Sequence, residues 1–206
     1  YTNLAVGTND LGFYQVIASN SVGSAVSASA QLTFGPVAAW GLNSSGECLP
    51  PPGLSNVVAV AGNYGASFDV RTDGTIIPWG SGFVTNIPSS ASNIVSVATS
   101  DGSPNFALRS DGTVVVWPNY NAPVLSNIVS TASGNGIAYG LRAEGTLTNI
   151  YGISKNPLPA GLNHITAIAC GSNGALALRS DGTVVVAGSN GITNPPAGLN
   201  NVVVIA

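Results

Sequence analysis

The chain has 206 residues, enough for one large domain or two small ones, and 6% of them are charged, where about 25% is usual. Its 26 Gly and 13 Pro interrupt every apolar run well before the ~20 residues of a membrane helix, a composition typical of many short strands joined by turns. Membrane insertion is therefore not expected. The five Lys and Arg are scattered and the net charge is −3, so a nucleic-acid partner is not expected either.

The first 34 residues have the pattern of the end of a β-sandwich. The run Asp10-Leu-Gly12-Phe-Tyr14 precedes an alternating strand, and a second strand runs to Phe34. This run resembles the tyrosine corner of immunoglobulin-like domains, although Val16 stands where that family has a cysteine. A whole sandwich needs ~100 residues. We therefore expect 1–34 to be the C-terminal part of an immunoglobulin-like domain within a larger protein, or strands that complete another chain's sheet.

A repeat of about 37 residues follows. Its first marker is a β-branched run that begins at Asn or His and ends in Ala, with start-to-start spacings of 37, 34, 37 and 37. Fixed periods of this size are the signature of repeat architectures. The copies span 56–61, 93–98, 127–132, 164–169 and 201–206.

Two further markers recur in register with the first. Arg-x-Asp/Glu-Gly-Thr occurs at 71–75, 109–113, 142–146 and 179–183, and Asp-Gly between apolar runs is a strong hairpin signal because the turn needs a positive φ. Most units close with an aromatic residue that is usually followed by Gly: Trp40, Trp79, Trp117 and Tyr151. In the last unit the marker is weaker, because Ala187 stands at this position.

Each unit therefore reads as three strands and a connector that returns across the sheet. In the first full unit the strands are about 56–61, 66–71 and 75–80. This arrangement predicts an all-β propeller over 35–206, built as a partial ring with a closing strand at 37–41, four full units and an opening strand at 201–206. A β-solenoid is the main rival, but its parallel coils do not suit an antiparallel hairpin in every repeat.

These markers resemble the regulator of chromosome condensation repeat, over roughly Gly35 to Ala206. The short period is most similar to the bacterial branch that includes the second beta-lactamase inhibitory protein. The resemblance implies a β-propeller. It departs from the family at the start of the second strand, where a frequent His is replaced by Ala66, Pro104, Ile137 and Gly174.

Most charged residues fall at two repeat positions that we interpret as parts of the hairpin, where the acid suits the turn and the Arg pairs with it or covers apolar surface. They are Arg71, Arg109, Arg142 and Arg179, with Asp73, Asp111, Glu144 and Asp181. Glu47, Asp69, Asp101 and Lys155 lie outside structural motifs and form no evident acid–base pair. The chain is therefore predicted not to be an enzyme.

Other candidate sites have structural interpretations. The single His164 replaces the Asn of its repeat, and no cluster of His, Cys and carboxylates predicts a metal or cofactor. The Gly-rich stretches 132–136 and 170–174 read as tight turns. The aromatic series is interpreted as packing between blades, with a carbohydrate platform as the alternative. Whether Cys48 and Cys170 are oxidised stays open.

Function is expected on the end of the blades opposite the Asp-Gly turns, where the loops differ between units. The candidate partner-binding residues are Tyr64, Phe83, Asp101, Tyr120 and Lys155. The favoured hypothesis is a non-enzymatic binding or adhesion module, secreted or at the cell surface, that takes a protein or glycan. The alternatives are a self-associating subunit of an extracellular filament or sheet, and a proteinaceous enzyme inhibitor.

Overall fold

The computed structural model describes residues 12–28, 30–32, 37–63, 65–81, 85–100, 104–118, 125–152, 158, 161–171, 174–187 and 195–206. These residues are all-β and form four three-stranded antiparallel sheets and two two-stranded sheets. Across the same ranges, no helix is long and apolar enough to cross a bilayer.

The first four strands form the two small sheets. They are β1 (Gly12–Tyr14), β2 (Ile17–Asn20), β3 (Gly23–Val26) and β4 (Ala30–Leu32), with β1 paired to β4 and β2 to β3. Every residue from 14 to 28 is exposed, and the Val22 side chain is 92% exposed. β2 and β3 form an antiparallel hairpin, and β1 pairs with β4. The immunoglobulin-like sandwich stays a prediction.

The four large sheets are the four predicted units, each with its strands in the order one, two, three. Unit one holds β5 (Val57–Asn63), β6 (Ala66–Arg71) and β7 (Ile76–Gly80); unit two holds β8 (Ile94–Ala98), β9 (Asn105–Arg109) and β10 (Val114–Trp117); unit three holds β11 (Ile128–Gly134), β12 (Ile137–Arg142) and β13 (Leu147–Tyr151); unit four holds β14 (Ile165–Gly171), β15 (Gly174–Arg179) and β16 (Val184–Ala187). The expected repeat of three strands is confirmed within two residues at each boundary of unit one.

The Asp-Gly turns join strands two and three and also contact the next unit. Gly74 has φ 77°, and a Cβ placed on it would lie 2.7 Å from the Cα of Asn93 at the start of unit two. Its carbonyl accepts a hydrogen bond from Ile94 N at 3.1 Å. The glycine is therefore required by the turn and by the contact between units. The corresponding bonds run from Ile128 N to Gly112 O, Ile165 N to Gly145 O and Val202 N to Gly182 O.

The residue that opens each repeat adopts a left-handed backbone conformation. All five have φ between 55° and 60°: Asn56, Asn93, Asn127, His164 and Asn201. Asn and His are among the non-glycine residues enriched in this region. In unit four, the His164 carbonyl accepts the backbone N–H of Ser180 at 2.9 Å, as its Asn counterparts do in the other units. The structural interpretation of His164 is confirmed.

The two faces of each sheet differ in what they pack against. We call the face toward the preceding unit the upstream face and the face toward the next unit the downstream face. Phe68 and Val70 on the downstream face of unit one share a buried cluster with Ala107 and Trp117 on the upstream face of unit two. First strands of neighbouring units also contact each other, β5 with β8 and β11 with β14. The hydrophobic core therefore lies between the blades, as in a propeller.

The single strands predicted at 37–41 and 201–206 are wrong as strands. Both segments are described, and neither has regular strand structure. A strand needs a neighbour to satisfy its backbone N–H and C=O groups, and the described part of the chain offers neither segment such a neighbour. Residues 201–206 nevertheless begin as a first strand does, because Asn201 has φ 55° and Val202 N donates to Gly182 O.

Candidate binding surfaces at the loop end and on the first unit

The loop end of the blades is the end opposite the Asp-Gly turns. In unit one, the last residue of β7, Gly80, pairs with Ala66 at the start of β6, and Ser81 N donates to Gly65 O at 2.8 Å. The start of the connector therefore lies beside the short loop between strands one and two. The predicted meeting of these segments at one end is confirmed for this unit.

The five predicted binding residues at this end are not placed by the structure. Tyr64, Phe83, Asp101, Tyr120 and Lys155 all lie outside the described residues. Their role stays a prediction, and it depends on the described strands that flank them.

Hydroxyl side chains at the ends of the first strands link the blades at the loop end. Thr99 Oγ1 of unit two donates to Gly62 O of unit one at 2.6 Å, and Ser133 Oγ of unit three donates to Thr99 O at 2.5 Å. Ser100 Oγ donates in the other direction, to Gly134 O at 2.8 Å. Because each bond joins neighbouring units, the variable loops start from a connected scaffold. Cys170 occupies the Ser133 position in unit four, and its thiol is free.

The upstream face of unit one differs chemically from the equivalent faces of the other units. Asp69 occupies the middle-strand position that holds Ala107, Gly140 and Ala177 in units two to four. Ala107 shares a buried cluster with Phe68 of the preceding unit, and Ala177 shares one with Leu141. In unit one, Asp69 pairs in register with Val60 of the first strand and Ile77 of the third.

Asp69 is a buried carboxyl group without a partner. The residue is 0% exposed, and neither carboxylate oxygen has a hydrogen bond. Burial raises the pKa of Asp69 to about 6, and the Arg71 charge opposes this shift only in part. A buried carboxyl group without a partner destabilises the charged form. The sequence pattern places Asp69 only among the isolated charges and does not predict its burial.

The connector before unit one folds over the upper part of the same face. The Glu47 carbonyl accepts hydrogen bonds from Ser67 Oγ at 2.9 Å and from Trp79 Nε1 at 3.0 Å. Asn43 Oδ1 fixes the connector by accepting the Cys48 N–H. Trp79 is 8% exposed beneath this connector, so it is buried as predicted, but against the connector and not between two described blades.

An open cavity of about 460 Å³ lies between this connector and unit one. Trp40 is 86% exposed at its edge, so the predicted packing of Trp40 between blades is wrong. The equivalent Trp117 is 2% exposed and meets Phe68 edge-on, with ring centroids 5.9 Å apart. The difference arises because Trp117 has the downstream face of unit one against it. The cavity is lined by Ala38, Ala39, Trp40, Leu42, Glu47, Cys48, Asn63, Gly65 and Ser67.

Asn63 is the least satisfied polar group of this cavity. Its Nδ2 donates to Asn105 Oδ1 at 3.2 Å, whereas its Oδ1 is buried without a hydrogen-bond partner. Hydrogen bonds from the backbone of its own connector, chiefly its own N–H and those of Ser45 and Ser44, lower the pKa of Glu47. The cavity therefore has an exposed indole at its edge, a carboxylate held by its own connector, and a lining amide whose oxygen is itself buried.

The charged residues of the Asp-Gly turns have structural roles. Asp73 Oδ1 accepts both the N–H and the hydroxyl of Thr75, and the hydroxyl bond is the main cause that lowers the pKa of Asp73. Arg109 Nη2 donates to Ser90 O at 2.7 Å, which ties the turn to the preceding connector. Within the described ranges, no three His, Cys, Asp or Glu side chains come together as metal ligands.

Residues 165–191 match the family model of the regulator of chromosome condensation (RCC1) repeat. No curated protein matches the chain in sequence. The matched segment covers most of unit four, which carries the same markers as the three units before it.

Several solved structures are similar to the chain in fold. The ectodomain of the Physcomitrella patens receptor kinase CR4 has a TM-score of 0.56 at 20% identity, over 67% of this chain and 42% of that one. The CRINKLY WD40 ectodomain of the Arabidopsis thaliana receptor kinase ACR4 gives 0.53 at 12%, over 63% and 49%. Prp20p from Saccharomyces cerevisiae gives 0.52 at 14%, over 66% and 47%.

The chain spans less than half the length of each of these three proteins. At these identities the likeness shows the fold alone. The four described units are therefore blades of a propeller-type fold with RCC1-like repeats.

Proposed function

We propose that the chain is a non-enzymatic protein-binding module of a secreted or cell-surface protein, and that its partner docks on the loop end. The observation that supports this is the contrast between the two ends of the blades. The Asp-Gly turns repeat nearly the same residues and the same backbone hydrogen bonds in each unit, with Glu144 in place of Asp in unit three. At the loop end, hydrogen bonds join the strand ends of neighbouring units, while the loops differ between units. Binding residues concentrate on such loops.

Similar structures support a role in protein binding. Prp20p is described with its binding properties to Gsp1p and histones, and yeast RCC1 is described in complex with Kap60. The two receptor-kinase neighbours are ectodomains, which supports an extracellular setting. The net charge of −3 and the few basic residues make a nucleic-acid partner less suitable for this chain.

The test compares the two ends in one chain. Tyr64→Ala and Asp101→Ala are expected to reduce partner retention about fivefold or more, since interface tyrosines contribute ~1 kcal/mol or more. Thr72→Ala and Ser110→Ala, which are exposed in the Asp-Gly turns, serve as matched controls. Each variant is immobilised and exposed to surface and secreted proteins of the source cells, and the retained proteins are quantified. Loss of retention only in the control variants would reverse the assignment.

The N-terminal strands fit the same proposal as the end of an immunoglobulin-like domain over 1–34, joined to propeller units over 35–206. The support is the exposure of β2 and β3, where Ile17 of β2 is 66% and Val26 of β3 is 56% exposed. Apolar side chains on both strands of a hairpin are expected to be covered by the second sheet of a sandwich.

A structural subunit of an extracellular assembly is the second candidate. The same exposed hairpin and the 6% content of charged residues favour close association. Sedimentation velocity at rising protein concentration separates the two. A monomer throughout supports the binding module, and filaments or large oligomers support assembly.

A further inference from the structure

Residues 201–206 begin like a first strand but have no hairpin of their own among the described residues. Asn201 has φ 55°, as the opening residues of units one to four do, and Val202 N donates to Gly182 O at 3.1 Å. The same backbone conformation and the same hydrogen bond precede β8, β11 and β14. Unit four therefore already holds this segment in the position of the next first strand.

The opening residue of each unit binds the hairpin of that unit. Its carbonyl accepts a backbone N–H from the Asp-Gly turn, from Ser110 for Asn93 and from Ser180 for His164, both at 2.9 Å. The four described hairpins are all engaged in this way by their own units, so none of them is left for Asn201. A segment with unpaired backbone N–H and C=O groups can accept an added strand.

The exposed side chains beside this segment are those that the next unit covers elsewhere. Leu176 on the downstream face of unit four is half-buried, and Val204 is 74% exposed, whereas the equivalents of Val204 in the complete units are half-buried. Side chains at the Leu176 position are 0% exposed in the units that have a described neighbour: Phe68, Phe106 and Tyr139. Around Phe68, this cover includes Ala107 of the middle strand and Trp117 of the third strand of unit two. A hairpin of the same kind is therefore the neighbour that this surface fits.

We propose that residues 201–206 and the downstream face of unit four bind a β-hairpin of the repeat type. Its middle strand adds antiparallel to 201–206, and its Arg-x-Asp-Gly-Thr turn donates a backbone N–H to the Asn201 carbonyl. The middle strand carries a small apolar residue beside Leu176, as Ala107 and Ala177 do where a preceding unit packs against them.

The hairpin comes from a repeat segment other than the four described units. A second copy has no hairpin to give from these units, because each is paired within its own sheet. The surface continues the repeated contact between units and is separate from the loop end of the proposed function.

The test adds the hairpin of unit two as a peptide. Residues 105–117, labelled at the N-terminus, are titrated with the full chain and followed by fluorescence anisotropy. Saturable binding is expected, with slower hydrogen exchange of the backbone amides of residues 203–206, because strand pairing protects them. The matched peptide with Ala107→Asp carries the residue that unit one has at this position. It should bind about tenfold more weakly, because it places a carboxyl group without a partner against Leu176.

Two double variants of the chain test the strand itself. Val204→Pro with Ile205→Pro should abolish binding, because successive N–H groups of a strand point to opposite sides and one of the two therefore faces the hairpin. Val204→Ala with Ile205→Val recreates the sequence of residues 56–61 and should bind like the parent chain. Neither position pairs with a described strand, so the melting temperatures of both variants should equal that of the parent.

A tethered hairpin keeps the test valid if the free peptide aggregates. A copy of residues 99–117 placed directly after Ala206 supplies the rest of a fifth unit at high effective concentration. This extended chain should melt at a higher temperature than the parent and protect the amides of 203–206. The same extension with Ala107→Asp in the added copy should raise the melting temperature less.

Three results would overturn the proposal. The first is no saturable binding of the peptide together with no protection of 203–206 in the extended chain. The second is equal binding by the proline variant or by both peptides, which would show apolar contact without strand pairing. The third is protection of 203–206 that rises with the concentration of the parent chain alone, which would assign the segment to a second copy. Loss of partner retention by the loop-end variants leaves these measurements unchanged, so the two proposals fail separately.

Discussion

The upstream faces of units one and two have the same strands and the same register but opposite uses. In unit two, Ala107 and Trp117 are buried against Phe68 of the preceding unit. In unit one, Asp69 stands at the Ala107 position, and among the described residues it is the connector before the unit that lies over this face, beside an open cavity. The comparison shows that the repeat fixes the backbone, while the neighbour on each face decides whether a residue packs, stays exposed or is left without a partner.

The largest expected effect is on the packed member of the tryptophan pair. Trp117→Ala should lower the free energy of unfolding by ~3–5 kcal/mol, as for other buried aromatics, because it removes the edge contact with Phe68. Trp40→Ala should change it by less than ~0.5 kcal/mol, as for exposed positions. Urea denaturation followed by circular dichroism measures both. Equal losses in the two variants would erase the distinction between the faces.

The contact between units predicts the second effect. Gly74 and Gly53 both have φ 77°, but a Cβ would meet Asn93 only at Gly74 and open space at Gly53. Both Gly→Ala variants should lose ~1–2 kcal/mol from the left-handed backbone. Gly74→Ala should lose a further ~1–3 kcal/mol, as in overpacked cores, because unit two must shift.

Chemical denaturation of the two glycine variants isolates the contact, since the backbone term is common to both. Similar losses would mean that the Asp-Gly turn does not hold the next unit, and that the contact at Ile94 contributes little.

The repeat itself could be predicted from the sequence for a physical reason. Strand-length apolar runs and an Asp-Gly turn specify a hairpin locally, so β6 and β7 begin and end close to where the markers place them. The segments 37–41 and 201–206 carry the same markers but form no strand, because a strand also needs a neighbour that the local sequence does not specify.

The upstream face of unit one could not be predicted in the same way. Trp40 has the sequence signature of a packed residue, and only the position of the neighbouring units shows that it is exposed. Asp69 has a signal in the alignment of the repeats, since a carboxyl group stands where Ala107 and Ala177 occur. Its burial depends on tertiary packing, which the sequence pattern does not reveal. Asn63 gives no such signal, because its hydrogen bond to Asn105 of unit two forms only when the two blades pack together.

Asp69 predicts a gain in stability on mutation. Its folded pKa, about 6, lies above the ~3.9 of an unfolded chain, so the unfolded state loses its proton first as the pH rises. The protonated group therefore stabilises the fold at low pH, and this contribution falls as the pH rises from ~4 through ~6. Asp69→Ala, which restores the residue of unit two, should stabilise the chain at pH 7 by about 1–3 kcal/mol.

The pH dependence checks the cause. The advantage of Asp69→Ala over the parent should shrink below pH ~4, where the carboxyl group is protonated in both states. Asp73→Ala is the opposing control, because its pKa is lowered by the bonds from Thr75 and its removal should destabilise. Thermal melts across the pH range measure both. A loss of stability in Asp69→Ala at pH 7 would mean that the carboxylate has a partner in solution.

The smallest expected effect concerns His164, where one unit departs from the uniform end of the blades. His164 has φ 57°, close to the Asn residues at the same position, and its ring lies 3.2 Å from Asn163 Oδ1, measured from Nδ1. Since Asn is enriched in the left-handed region, His164→Asn should be neutral or stabilise by at most ~0.5 kcal/mol. His164→Ala should cost about 1–2 kcal/mol, because alanine has no polar side chain to support this backbone conformation. The two variants share the loss of the imidazole and differ in backbone preference. Thermal melts of the two variants check this prediction. If both variants lost stability equally, the imidazole would have a role that the backbone conformation of this position does not explain. The end of the blades that carries the Asp-Gly turns would then not be the same in unit four as in the other units.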